Sequence, residues 1–91
     1  MTAQKVIFIG RVQGVGFRYT TKQLALGFDI VGWVKNLPDG SVELQVMGEQ
    51  EEVKEFITEI VEESELASLI KEHRVRQIDL LEGCSGFSIA G

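Results

Sequence analysis

Apolar residues follow the pattern of β-strands in three stretches of the chain. Residues 6–9 are consecutively apolar and rich in β-branched side chains, which predicts a central strand that is apolar on both faces. Ile30–Asn36 combines β-branched and aromatic residues and predicts a second strand. Residues 41–47 alternate between apolar and polar side chains, which predicts a third strand with one buried face.

Two stretches instead show the spacing of amphipathic helices. Phe17, Thr21, Leu24 and Phe28 would share one helical face, and Gly27 is suited to ending the helix, so we predict a helix over residues 17–26. A second helix is predicted over residues 49–63, where acidic residues crowd the first turn. Its apolar positions recur at helical spacing: Val53, Phe56, Ile57, Ile60 and Val61.

The last third of the chain gives weaker patterns. Residues 65–73 look helical, and the apolar positions from Leu66 to Ile70 fit either a continuation of the second helix or a separate turn. Val75, Ile78 and Leu80 predict a fourth strand with a β-bulge between Val75 and Ile78, because the apolar alternation slips there. Phe87 and Ile89 predict a short strand at the C-terminal end.

The predicted order of elements is β-α-β-β-α-β with a small extra strand. Residues 37–40, which read LPDG, supply the turn of a central hairpin. This order is typical of the α+β class, specifically the ferredoxin-like α/β sandwich, in which one mostly antiparallel sheet carries both helices on one face. We therefore expect a single domain over residues 1–91.

Charge is distributed unevenly along the chain. The net charge is −5, but residues 1–40 carry five basic and two acidic side chains, whereas residues 41–91 carry four basic and twelve acidic ones. The basic first half favours an anionic ligand. The overall acidity argues against nucleic acid, whose binding depends on many phosphate contacts. A small anion is the better fit.

Cysteine content and hydropathy bear on the cellular compartment. Cys84 is the only cysteine, so no intramolecular disulfide can form. No apolar stretch approaches the ~20 residues that span a bilayer, and we expect neither a signal peptide nor a membrane partner. A cytoplasmic location is the expectation that follows.

Candidate chemistry begins in residues 10–18, which read GRVQGVGFR. Glycines permit the positive φ angles with which a loop turns consecutive N–H groups inward to form an anion-binding concavity. Arg18 ends the stretch with a planar fork of donors suited to two oxygens of a phosphate or carboxylate. Because the loop leads into the first predicted helix, an anion there would also meet the helix N-terminus.

Asn36 is the second candidate, at the end of the second predicted strand. Its neutral amide both donates and accepts hydrogen bonds, so it could hold a water molecule. The sequence alone does not place Asn36 near the glycine loop. That step depends on the fold.

Residues 10–18, together with residues 32–36 (GWVKN) and 39–43 (DGSVE), resemble the signature segments of the acylphosphatase family. The resemblance implies hydrolysis of the carboxyl–phosphate bond of a small acyl phosphate. We expect no metal, because no His, Cys, Asp and Glu residues cluster at ligand spacing, and we expect no cofactor and a monomer. The resemblance also implies that Arg18 binds the phosphate and that Asn36 orients the attacking water. The backbone N–H groups that would hold the phosphoryl oxygens are those of Gln13, Gly14, Val15, Gly16, Phe17 and Arg18.

The sequence also departs from the family pattern, and alternatives remain open. Many members have a Gly-Pro-containing loop where residues 65–73 look helical here, and many end in a basic residue where this chain ends IAG. One alternative is a non-catalytic, anion-binding regulatory module on the same fold. An RNA-binding domain is a weaker alternative, since the strands carry few aromatic residues for base stacking.

Overall fold

The computed structural model describes residues 1–90 and contains one five-stranded sheet and two helices. The sheet order is β4-β1-β3-β2-β5, and every neighbouring pair is antiparallel except β2 and β5. A π-helical segment and a single 3₁₀ turn separate α2 from β4. The elements are β1 (Thr2–Gly10), α1 (Phe17–Ala25), β2 (Ile30–Asn36), β3 (Val42–Gly48), α2 (Gln50–Thr58), the π-helical segment (Glu59–Glu63), the 3₁₀ turn (Ala67–Leu69), β4 (Ile70–Ile78) and β5 (Phe87–Ile89).

The core lies between the helices and one face of the sheet, as the α+β prediction requires. Alternate residues of the three central strands point to this face, so the period-2 pattern of β3 is confirmed. Both helices contribute side chains to the same apolar cluster. Its members include Val6, Phe8, Val34, Val42, Leu44 and Val46 from the sheet, and Phe17, Ala25, Val53, Phe56 and Ile57 from the helices.

The prediction of a long second helix is confirmed with one difference in its winding. Residues 59–63 continue α2 as a π-helix, and the N–H of Ser64 donates to the carbonyl of Glu59 at 2.8 Å. Ser64 then ends the helix with an extended backbone. Its side-chain hydroxyl donates to the carbonyl oxygen of Ile60 at 2.8 Å and so satisfies one of the last free acceptors.

The prediction that residues 65–73 are helical was wrong. Only Ala67–Leu69 form a turn, and it is a separate 3₁₀ turn and not a continuation of α2. From Ile70 onward the chain is β4, which pairs with β1. Backbone hydrogen bonds to the sheet override the local helical pattern of these residues.

The predicted bulge between Val75 and Ile78 was also wrong. The pairing of β4 with β1 is regular from Ile78 opposite Ala3 to Glu72 opposite Ile9, and the register shifts only between Ile9 and Gly10. Val75 and Ile78 therefore lie on opposite faces of the sheet. An edge strand that is exposed along residues 71–77 needs no apolar alternation, so its side chains are a poor guide to its phase.

The remaining differences are small and lie at element ends. β1 extends further toward the N-terminus than the apolar run of residues 6–9, because it pairs with β3 and β4 along its whole length. The short C-terminal strand is confirmed as β5, which adds to the sheet in parallel with β2. Within residues 1–90, no helix combines the length and the apolar character needed to cross a membrane.

Candidate functional site

The glycine loop connects β1 to α1 over residues 11–16. Gly14 and Gly16 both have φ near 76°, a left-handed backbone conformation that residues with a Cβ rarely adopt. Val12 anchors the loop from below, since it is almost fully buried in the core. Phe17 anchors the other end, with its ring packed on that of Phe8 at a centroid distance of 5.1 Å. The loop is therefore curled, exposed on its outer side and fixed at both ends.

The N-terminus of α1 follows directly after this loop. The first helical hydrogen bond runs from the N–H of Thr20 to the carbonyl of Gly16 at 2.9 Å. The N–H groups of Phe17, Arg18 and Tyr19 therefore precede the helical ladder and remain free to bind a ligand. No acidic side chain lies in this first turn. The helix dipole and these donors give the end of α1 a positive potential.

Arg18 lies half-buried in the first turn of α1. The one ion pair among residues 1–90 joins Arg74 and Glu72 on β4, so no described carboxylate neutralises the Arg18 guanidinium. An arginine that is not paired within the protein keeps its full set of donors for an incoming anion.

Asn36 is the last residue of β2 and pairs with Val42 of β3. Its side-chain oxygen Oδ1 is buried, and no group of the described chain donates a hydrogen bond to it. Buried polar atoms in folded proteins nearly always have a partner, which can be a water or a ligand. Oδ1 is therefore an acceptor available to a molecule that enters the site.

Arg18 and Asn36 line one cavity of about 210 Å³. Gly14 and Gly16 contribute loop backbone to its wall, and the apolar part is formed by Val12, Phe17, Tyr19 and Ile89. The fold thus brings together the two candidates that the sequence left apart. Of the six residues predicted to bind phosphate through backbone N–H groups, four line this cavity, whereas Gln13 and Val15 do not.

Gln13 has a contact that its sequence context did not predict. Its side-chain amide donates to the carbonyl oxygens of Leu37 and Ser41, both at 2.8 Å. These carbonyls belong to the β2–β3 hairpin, so the contact spans more than twenty positions of the chain. No local sequence signal could have revealed it, because both acceptors are backbone atoms.

The hairpin itself is held by a second set of hydrogen bonds. The hydroxyl of Ser41 donates to Asp39 Oδ1 at 2.5 Å, and the N–H of Ser41 donates to the same oxygen at 2.9 Å. These two bonds lower the pKa of the Asp39 carboxyl below its ordinary value, and the bond from the hydroxyl has the larger effect. The turn that follows Asn36 is therefore fixed by its own side chains as well as by Gln13.

Tyr19 and Ile89 are cavity residues that sequence reasoning missed. Ile89 comes from β5, where it pairs with Val34 of β2. The sequence signalled Ile89 only as part of a short strand and gave no signal for Tyr19. No cluster of three or more potential metal ligands occurs among residues 1–90.

Comparison with known proteins identifies close relatives. The family model described as Acylphosphatase matches residues 4–89. An acylphosphatase of Staphylococcus aureus (strain Newman) is 38% identical over 78 residues, which cover 86% of each chain. The crystal structure of acylphosphatase from Bacillus subtilis is 36% identical and superposes with a TM-score of 0.89 over 100% of both chains. Full-length HypF, solved in a phosphate- and nucleotide-bound form, is 30% identical with a TM-score of 0.84, and the match covers 99% of this chain and 12% of that one.

Proposed function

The chain belongs to the acylphosphatase family, and from that premise we propose how its cavity carries out the reaction. The protein is an enzyme that hydrolyses acyl phosphates to a carboxylate and inorganic phosphate. The observation that carries the assignment of roles is the shared cavity of Arg18 and Asn36 at the N-terminus of α1. The Arg18 guanidinium, which can bind an anion, and the Asn36 amide, which can bind water, line the same cavity.

Arg18 and the loop hold the phosphoryl group. The guanidinium binds two phosphoryl oxygens, and the backbone N–H groups of the loop and of the first turn of α1 that face the cavity bind these oxygens as well. The absence of acidic side chains from the first turn of α1 supports this role. As charge shifts on the phosphoryl oxygens in the transition state, these fixed donors stabilise it.

Asn36 orients the water. A water O–H donates to Oδ1, the buried oxygen that has no donor among residues 1–90, and the water oxygen then faces phosphorus. The water oxygen attacks phosphorus while the bond from phosphorus to the acyl oxygen breaks. The carboxylate leaves with the electrons of that bond, and the proton of the water passes to a phosphoryl oxygen. Neither a carboxylate nor a histidine lines the cavity, which supports the substrate as the proton acceptor.

Positioning accounts for most of the catalysis that this arrangement requires. An acyl phosphate is already activated, because its leaving group is a stable carboxylate. Holding water and phosphorus in line therefore replaces the need for a strong base.

Assembly and location are further parts of the proposal. A single-domain monomer of the cytoplasm that binds no nucleic acid is supported by one contiguous apolar core, by the net charge of −5 and by a single cysteine. Light scattering after size exclusion tests the monomer. A gel-shift assay with single-stranded RNA at low salt tests nucleic-acid binding.

The experiment that tests the roles measures phosphate release from benzoyl phosphate without added metal. Arg18→Ala should lose both turnover and binding of inorganic phosphate. Arg76→Ala is the matched control, since it removes an exposed arginine on β4, at the opposite edge of the sheet from β5. Undiminished phosphate binding by Arg18→Ala would contradict the proposed role of Arg18.

A further inference from the structure

Large apolar side chains are exposed at the mouth of the cavity. Tyr19 is 63% exposed and Ile89 is 41% exposed, yet both line the cavity that contains Arg18 and Asn36. Exposed apolar surface that clusters beside a polar pocket is typical of a binding site for a ligand with a polar and an apolar part.

The two apolar side chains come from different elements that both reach the cavity. Tyr19 directly follows Arg18 in the first turn of α1. Ile89 lies on β5, and its partner on β2 is Val34, two residues before Asn36. Helix α1 packs against both β2 and β5, so this mouth is built into the fold and does not depend on a free loop.

The size of the cavity leaves little room beyond the phosphate. Its volume of about 210 Å³ equals that of roughly seven water molecules at ~30 Å³ each. A phosphate ion has five heavy atoms, each about the size of a water molecule, so the room left inside is much smaller than an acyl ring. A bulky acyl group therefore has to extend to the mouth of the cavity, where Tyr19 and Ile89 are exposed.

We propose that Tyr19 and Ile89 form a subsite for the acyl group, which makes the enzyme selective for acyl phosphates with bulky apolar acyl groups, aromatic ones in particular. The inference rests on the proposed function of the cavity. The acyl carbon is separated from phosphorus by a single oxygen, so the acyl group has to lie immediately beside the phosphate. An acyl ring in this place would cover the Tyr19 ring and the Ile89 side chain and remove both from water. An acetyl group would cover much less of either.

The test compares kcat/KM for benzoyl phosphate and acetyl phosphate in the wild type and in variants. In Tyr19→Ala the ratio of the two values should fall by roughly tenfold, the effect of a small change in an apolar pocket, while inhibition by inorganic phosphate stays unchanged. Tyr19→Phe, which keeps the ring, should retain the ratio, and Ile89→Ala should lower it. Leu80→Ala is the matched control, because Leu80 is a similarly exposed apolar residue outside the cavity.

A binding measurement separates this inference from the proposed function. Calorimetry with benzylphosphonate and methylphosphonate needs no turnover, and the wild type should bind the benzyl compound more tightly, with the difference lost in Tyr19→Ala. An unchanged benzoyl-to-acetyl ratio in both Tyr19→Ala and Ile89→Ala overturns the subsite while leaving the hydrolytic function intact. An equal fall of kcat/KM for benzoyl phosphate and acetyl phosphate in these variants also overturns the subsite. If the wild type does not hydrolyse either substrate, the proposed function is contradicted. In that case the calorimetry still tests the subsite, and equal affinity of the wild type for benzylphosphonate and methylphosphonate overturns it.

Discussion

The side-chain amide of Gln13 is hydrogen-bonded to the backbone carbonyl of Leu37, the residue that directly follows Asn36. The second N–H of the same amide donates to the carbonyl of Ser41. Leu37 and Ser41 are themselves joined by a backbone hydrogen bond of 2.8 Å that closes the hairpin. One side chain of the glycine loop thus fixes the distance between that loop and the end of the strand that carries Asn36.

Replacing Gln13 should therefore disturb the site without removing any group that contacts substrate. In Gln13→Met both hydrogen bonds are lost and the side chain keeps its length, so the free energy of unfolding should fall by about 1–2 kcal/mol. We expect kcat to fall as well, because the loop and Asn36 are no longer held in register. Gln45→Met is the matched control, since the Gln45 amide donates only to Glu43. Urea unfolding and steady-state kinetics check both effects, and a kcat equal to that of the wild type would contradict the positioning role.

Asn36→Ala should separate catalysis from phosphate binding. Loss of a group that acts on the attacking water should lower kcat by roughly 10²-fold or more, whereas the inhibition constant for inorganic phosphate should stay close to that of the wild type. Lys35→Ala serves as control, because Lys35 precedes Asn36 in β2 but lies over the ring of Trp33. If Asn36→Ala raised KM alone, the assignment of the water to Asn36 would be wrong.

Much of the fold could be predicted because its elements are consistent at the local and the global level. The alternation in β3 and the helical spacing in α2 point to the same apolar core that the structure contains. β4 could not be predicted in the same way, since its residues 71–77 are exposed and its position depends on backbone pairing with β1. Where neither face of a strand is buried, its side chains do not have to alternate, and the pairing register cannot be read from the sequence.

The residues of the candidate site likewise fall into those that the sequence could indicate and those that only the fold reveals. Arg18 and the glycines are local features of one loop, and Asn36 lies within a second short segment, so motifs alone could indicate all of them. The contacts of Gln13 and the placement of Tyr19 beside Ile89 join residues that are far apart in the chain. Only the folded sheet brings β5 to the N-terminus of α1, and no period or motif in the sequence encodes that neighbourhood.

Asp39 should make the hairpin sensitive to acid. Its pKa is lowered in the folded protein by the hydroxyl and N–H of Ser41, so its contribution to stability is present above the pKa of the unfolded chain and is lost as the pH falls through the lower, folded value. A carboxyl titration by NMR should place the midpoint of Asp39 below the ordinary value for an aspartate in the wild type and at a higher pH in Ser41→Ala, which lacks the hydroxyl. The same midpoint in the two proteins would contradict the assigned cause.

Thr21 offers a way to stabilise the protein without changing the site. Its side chain is fully buried in α1, and its hydroxyl has no hydrogen-bond partner among residues 1–90. Thr21→Val replaces this hydroxyl with a methyl group of similar shape, so the unfolding free energy should rise by about 1–2 kcal/mol. Thr20→Val is the matched control on the same helix, where the half-exposed side chain reaches water and no comparable gain is expected. Thermal unfolding measures the difference between the two variants. Phosphate release should be unchanged in Thr21→Val, because Thr21 does not line the cavity, and a lower melting temperature would contradict the prediction.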